Sequence, residues 1–311
     1  MKLARALSIA AVLLAFIVVL MGAYVRLSDA GLGCPDWPFC YGRPLPAEIA
    51  DQHALAKAWK EMGHRYLAGT LGVVIAALLA LAWRARRAQR LASALVALVA
   101  LQATLGKWTV TMLLKPAIVT AHLLGGMSTL ALLTWLALAQ WPHERAPEMR
   151  ALRASAAFAL GAVIVQIALG GWVSANYAAL ACPDLPLCRA GGIPPMDFGN
   201  AFHIVRELGR TAEGGLLSLD ALAAIHWTHR VFALVALSAA IFAALRAWQP
   251  LRSIGALVGV LVAVQFALGV ANVALGLPLP LAASHNAGAA LLLVALVVLN
   301  FFAFRGLRPS G

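Results

Sequence analysis

Apolar stretches of about 20 residues recur along the whole chain, each long enough as a helix to cross a hydrocarbon core of roughly 30 Å. Eight can be read, at about 6–26, 65–83, 91–113, 117–140, 154–177, 229–248, 253–275 and 286–304. Composition agrees: 62% of the 311 residues are hydrophobic and 12% are charged, too few polar groups to wet the surface of a soluble domain. The first stretch follows Lys2 and Arg5 as a secretory signal would. It is too long for a signal core, runs on through Met21-Gly22-Ala23-Tyr24-Val25 and lacks a convincing cleavage site, so it is kept as a helix. The expected class is an all-α, multi-pass integral membrane protein, with lipid as its main solvent.

The net charge of +12 is topological. With the N-terminus inside, Lys2, Arg5, Arg84, Arg86, Arg87, Arg90, Arg145, Arg150, Arg153, Arg246, Arg252, Arg305 and Arg308 fall on one side, opposed only by Glu144 and Glu148. The other ten of the twelve acids lie in or beside two long loops on the opposite side. The positive-inside rule then puts both termini in the cytoplasm and the long loops outside. No nucleic-acid partner is expected. All four cysteines, Cys34, Cys40, Cys182 and Cys188, sit in the outer loops, where an oxidising compartment permits bridges; 34–40 and 182–188 are the simplest pairing.

The chain repeats itself. Gly22-Ala23-Tyr24-Val25 aligns with Gly170-Gly171-Trp172-Val173 at an offset of 148, and Cys34-Pro35-Asp36-Trp37-Pro38-Phe39-Cys40 aligns with Cys182-Pro183-Asp184-Leu185-Pro186-Leu187-Cys188 at the same offset. His64-Arg65 matches His229-Arg230 at 165; Gln102, Leu105-Gly106 and His122 match Gln265, Leu268-Gly269 and His285 at 163. The second outer loop is therefore 17 residues longer. Each unit holds four helices, an even number, so the halves share an orientation. They are expected as tandem four-helix bundles, 1–145 and 146–311, related by a pseudo-two-fold axis along the membrane normal.

Of eight histidines, His53, His143 and His203 lie in polar loops and read as solvated. His64 and His229 open the second and sixth stretches, and His122 and His285 stand about one turn inside the fourth and eighth, all near the outer face. An ionisable group in a membrane helix is costly enough to suggest function. An interhelical hydrogen bond would explain one such histidine. Two from facing helices at matching depth, twice over, is the arrangement that clamps a haem iron from both sides. Zinc fits poorly, because no C-x2-C or H-x3-H spacing accompanies these residues.

The halves differ three residues before the first histidine of each pair, where one has Glu61 and the other His226. A carboxylate beside a haem pocket can act as base, proton relay or cation stabiliser; the plain alternative is an acid favoured by a helix N-terminus. Arg65 and Arg230 can hold haem propionates or anchor to lipid headgroups. The cysteine loops read as stiff turns closed by bridges that are structural or redox-active. Trp37, Trp59, Trp108 and Trp172 fit an aromatic belt or haem packing. In the second outer loop a short amphipathic helix is expected around 199–213.

Over essentially the whole chain, these residues resemble the haem A synthase family. Gly33-Cys34-Pro35-Asp36-Trp37-Pro38-x-Cys40, Glu61-Met62-Gly63-His64-Arg65, His122, His229-Arg230 and His285 follow that family's order. The resemblance implies oxidation of the C8 methyl of haem O to a formyl group, giving haem A for cytochrome c oxidase. It implies that His64 and His122 frame the substrate haem in the N-terminal half, that His229 and His285 ligate a haem b cofactor, and that Glu61 is the catalytic carboxylate. It also implies a bacterial-type inner membrane, with haem O synthase and cytochrome c oxidase assembly factors as natural partners and oligomerisation open. Two rival classes stand beside it. A di-haem b electron-transfer cytochrome would use the same histidines; a thiol-disulfide redox protein would leave them unexplained.

Overall fold

The computed structural model of the chain describes residues 2–46, 49, 51–145 and 149–308. Among these, eight helices are long and apolar enough to cross a membrane, so the chain is a multi-pass membrane protein. They are α1 (Lys2–Leu27), α2 (Gln52–Arg84), α3 (Gln89–Thr111), α4 (Pro116–Leu138), α5 (Arg150–Ala175), α7 (Leu219–Ala247), α8 (Arg252–Ala274) and α9 (Leu279–Arg305). A four-residue helix, α6 (Phe198–Ala201), lies in the second long loop. The only sheet among the described residues is a two-residue antiparallel pair, Glu144–Arg145 with Leu307–Arg308, which joins the link between the halves to the C-terminal end.

Local chemistry sets the helix ends. Asp51 caps α2 by accepting from the His53 N–H at 2.9 Å, and Ser218 caps α7 by accepting from the Ala221 N–H at 3.1 Å. Pro116 begins α4, where a missing N–H costs nothing. Gly306, at φ 60, ends α9 in the left-handed conformation that glycine adopts without strain.

Three sequence expectations are corrected. The helices carrying the first histidine of each pair begin well before the apolar runs at 65 and 229, so His64 and His229 do not open them. Hydropathy ends where a helix leaves lipid, whereas the backbone continues to its cap. His122 and His285 are each the seventh residue of their helix, about two turns in rather than one. The helix expected around 199–213 stops at Ala201. Gly209 and Gly214, at φ 73 and 86, turn the chain that follows, and Arg210 bridges to Leu216. Residues 146–148, at the expected boundary and including Glu148, lie outside the described residues.

Within the first half α1 packs on α2 and α4, α2 on α3, and α3 on α4. In the second, α5 packs on α7 and α9, α7 on α8, and α8 on α9. Between the halves α4 touches α5 and α9, and α1 touches α9. Lipid supplies no hydrophobic drive between helices, so small residues that permit close approach matter most. A Cβ on Gly255 of α8 would stand 2.8 Å from the Ala244 carbonyl of α7. Asn300 is buried in α9 and ties it to α5 by donating to Ala156 O at 2.9 Å.

Polar ties repeat at both ends of the bundle. Arg5 Nε donates to Gln140 O at 2.8 Å, and the repeat offsets carry this pair onto Arg153 Nε and Ala303 O at 3.0 Å. At the cysteine-loop end Arg26 Nη2 donates to Ser174 O at 2.5 Å and the Tyr177 hydroxyl donates to Asp29 Oδ1 at 2.9 Å. In each of these two bonds the partners are one repeat offset, 148 residues, apart.

The Tyr177 hydrogen bond, with Lys57 beside it, holds the Asp29 carboxyl below the usual carboxylate range. A lowered folded-state value means the bond's stabilisation is present above the unfolded-state value of about 3.9 and is lost as pH falls through the folded one. Asp29 is 66% exposed, so solvent screens the effect. Asp29→Asn is expected to lower the thermal midpoint by about 1–3 °C at pH 7. That difference should shrink steadily on acidification below about pH 4, as scans of both proteins across pH would report. A deficit that does not change with pH contradicts this role for the carboxylate.

Candidate functional site

His64 projects from α2 and His122 from α4 into one cavity of about 520 Å³ among α1–α4 and the end of α5, within the 300–1,000 Å³ typical of cofactor-sized sites. Their ring centroids are 6.3 Å apart and the rings are perpendicular, at 89°. Apolar and small residues, among them Val18, Gly69, Leu71 and Val99, make most of the wall. The Nδ1 atoms of His64, His122 and His285 are buried without a hydrogen-bonded partner of good geometry. Backbone acceptors of Val18 and Gln265 lie close to the rings of His64 and His285.

Each of the four histidines sits against a glycine on a neighbouring helix. A Cβ on Gly22 would stand 2.9 Å from His64 Cε1, on Gly106 3.4 Å from His122 Cε1, on Gly170 3.1 Å from His229 Cε1 and on Gly269 3.2 Å from His285 Cε1. The repeat maps Gly22 onto Gly170 and Gly106 onto Gly269, so the four seats are two seats used twice. Gly125 and Gly288, repeat mates again, make room for the side-chain amides of Gln102 and Gln265. A methyl group at Gly22 would force the His64 ring to move, one at Gly170 or Gly269 would press its ring by a few tenths of an ångström, and one at Gly106 would fill the seat to ordinary contact.

Glu61 lies one turn before His64, is 5% exposed and lines the same cavity. Its Oε2 accepts from the Cys34 backbone N–H at 2.8 Å, and its Oε1 is paired with Arg65. Arg65 Nη1 in turn donates to the carbonyls of Asp36 and Phe39 at 2.9 and 2.8 Å. The loop these carbonyls belong to is closed by Cys34 and Cys40 at disulfide distance and turned by Asp36, whose carboxylate accepts from the Tyr41 and Gly42 N–H groups at 2.6 and 2.8 Å. Carboxylate, guanidinium and loop thus form one hydrogen-bonded unit over the mouth of the cavity.

The second half builds the same unit without the acid. Arg230 Nη1 donates to Asp184 O and Leu187 O, both at 2.8 Å, and Nη2 donates to Cys182 O, while Cys182 and Cys188 are bridged. Arg230 Nε donates to His226 Nε2 at 3.2 Å, where the first half has its carboxylate. His229 is close enough to His285 to interact electrostatically. Gln166 Nε2 donates to His229 O at 3.1 Å and lies 3.1 and 3.3 Å from the two ring nitrogens. Gln265 Nε2 likewise donates to His285 O at 3.0 Å.

Some expectations change with this geometry. Both arginines are engaged by the cysteine loops, although Arg65 also lines the cavity. His53 and His203 are exposed as expected. His143 is half-buried instead: its Nε2 is 2.8 Å from Leu138 O, and its ring meets Phe301 and Phe302 edge-on. Trp37, Trp59 and Trp108 are exposed; Trp172 is buried, donating to Ala201 O at 2.9 Å under the second loop. Gln166 and Arg26, which lines the first cavity, had not been singled out. Their repeat mates are Val18 and Ser174, so the repeat does not flag them. Among the described residues no group of three or more His, Cys, Asp or Glu forms a metal cluster of the zinc kind.

Comparison with known proteins agrees with this architecture. The family model COX15-CtaA, described as cytochrome oxidase assembly protein, matches residues 5–297. A heme A synthase of Shewanella oneidensis is 40% identical over 304 residues, covering 92% of each chain. Similar too are heme A synthases of Caulobacter vibrioides, 31% identical over 94% of this chain and 93% of the relative, and of Halalkalibacterium halodurans, 27% identical over 70% and 73%. A match that spans both cysteine loops and all four paired histidines means that the chain belongs to the COX15-CtaA family of cytochrome oxidase assembly proteins.

Proposed function

We propose that this chain is a haem-dependent oxidoreductase that converts haem O to haem A by oxidising the C8 methyl group to a formyl group. The observation that carries the reading is the first-half cavity, with two histidine rings 6.3 Å apart and a buried carboxylate in its wall. With metal–imidazole bonds of about 2.0 Å, each ring centroid stands roughly 3 Å from a shared metal, so two rings on opposite faces are separated by roughly 6 Å.

In this reading the substrate haem occupies the first half between His64 and His122, and a resident haem b the second between His229 and His285. The second pair fits the same group, because its rings rest on repeat-equivalent glycine seats. When bound, haem b supplies a redox centre. The chain itself supplies orientation, a water-poor cavity and a placed carboxylate. His64 and His122 hold the substrate macrocycle by its iron. Glu61 is held at the cavity wall by the Cys34 N–H and Arg65. Written with water as the oxygen source, the change from methyl to alcohol and then to a hydrated aldehyde that loses water releases four electrons, which an external electron acceptor must take, and four protons, which Glu61 would receive and pass on. His226 leaves the second half without that acid, so the first half is the one that reacts.

Residues 1–145 and 146–311 are read as two halves about a pseudo-two-fold axis along the membrane normal. Supporting this, Arg26 meets Ser174 and Asp29 meets Tyr177, and each pair joins positions one repeat offset apart. Equivalent positions touch one another only near such an axis. The inter-half contacts α1 with α9 and α4 with α5 are also mates under the repeat. The charge pattern supports a bacterial-type inner membrane, both termini in the cytoplasm, and cysteine loops and haem sites toward the outer face. Haem O synthase and cytochrome c oxidase assembly factors are the partners this reaction calls for.

Glu61→Gln keeps the shape and removes the charge. Haem composition of cells supplied with haem O should show haem b retained in the protein and haem A output reduced at least about tenfold, with haem O or the alcohol accumulating. Near-normal haem A would reduce Glu61 to a structural acid. His229→Ala or His285→Ala should lower haem b content or convert its low-spin spectrum to high spin. An unchanged spectrum at full occupancy contradicts the assignment of that pair. Gly22→Ala brings a methyl group within 2.9 Å of His64 Cε1 and should weaken binding of added haem while the haem b spectrum is unaffected. Wild-type affinity in that variant would show that the ring does not depend on its seat.

A further inference from the structure

We propose that Arg26 is the anion subsite of the first-half cavity, taking a propionate carboxylate of the porphyrin bound there. The inference rests on the reading of that cavity as the substrate haem site. Arg26 lies one turn beyond Gly22 on α1, about 6 Å along the helix from the seat of His64, and lines the cavity. It is therefore near the ring that would hold the iron and on the cysteine-loop side of it.

Its guanidinium is held yet incompletely satisfied. Nη2 donates to Ser174 O at 2.5 Å, one face stacks on the Tyr177 ring at 3.8 Å, and Nε is buried with no partner. No carboxylate forms an ion pair with it among the described residues. Asp29, three residues on, is engaged by the Tyr177 hydroxyl and by Lys57 at 3.2 Å. A guanidinium oriented by its neighbours, with donors to spare and no carboxylate in ion-pair contact among the described residues, is arranged to receive a carboxylate with little loss of entropy.

Arg65, the other cation of the cavity wall, is a poor site for the same group. Its Nη1 is divided between loop carbonyls and its Nη2 is paired with Glu61, so a second carboxylate there would face the Glu61 charge in a site of low dielectric. The repeat sharpens the contrast. The mate of Arg65 is Arg230, a shared structural tie, whereas the mate of Arg26 is Ser174, so this cation belongs only to the half that carries Glu61.

The test uses the full-length purified protein and two probes, protohaem and its dimethyl ester, each titrated into the first-half cavity by difference spectroscopy. The wild type should bind the free acid about tenfold or more tightly than the ester. Arg26→Gln should bring the ratio close to one by weakening the free acid alone. Arg26→Lys, which keeps the charge and gives up the planar fork, should show an intermediate ratio and serves if the Gln variant does not fold. A wild-type ratio in either variant overturns the proposal, as does a wild type that binds both probes equally, and both results leave the haem-site reading standing. Failure of the wild type to bind either probe overturns that reading and this inference together.

Discussion

A polar ring can enter the lipid-buried part of a helical bundle only where another helix makes room for it, and in this protein glycine makes the room. Gly22, Gly106, Gly170 and Gly269 each face the Cε1 edge of one of the paired histidines at a distance that a Cβ would close to 3.4 Å or less. Without side chains at those points α1, α3, α5 and α8 come close enough to fix the ring planes of His64, His122, His229 and His285. The rest of the site follows from this packing. The rings are fixed by backbone of neighbouring helices, so their separation is set by helix geometry and not by flexible side chains.

The outer loops are built onto that frame through arginine. Arg65 and Arg230 immediately follow the first histidine of each pair, and each spends its guanidinium on the carbonyls of a cysteine-bridged turn. A cation that satisfies several carbonyls at once holds a loop that has little regular secondary structure of its own. Both halves share this construction. They part three residues before that histidine, one turn away, where Glu61 accepts from a loop N–H and an arginine while His226 accepts from an arginine. One substitution within a duplicated frame puts a carboxylate in one half and an imidazole in the other, and the proposed division into a reacting half and a cofactor half rests on that difference.

Much of this could be read in the sequence, for identifiable reasons. The number of membrane helices follows from hydropathy, because lipid demands about 20 apolar residues per crossing. The lengths of α2 and α7 do not, since both run on through polar residues to Asp51 and Ser218 caps that hydropathy cannot register. The histidine pairs and Glu61 stand out because the repeat gives each a mate to compare. The seats Gly22, Gly106, Gly170 and Gly269 were visible as aligned residues, but their purpose depends on which helices adjoin, which a one-dimensional pattern does not hold. Gln166 and Arg26 escaped because their mates, Val18 and Ser174, differ from them. The helix expected over 199–213 stops at Ala201, and the stretch beyond it is turned by glycines at 209 and 214.

The central claim is that the two halves hold two different haems. Pigments extracted from the purified protein and separated chromatographically test it most directly. Haem b together with haem O or haem A is the expected result. Haem b as the sole pigment, in protein isolated from cells that make haem O, would contradict it and return the chain to the class of di-haem electron-transfer cytochromes.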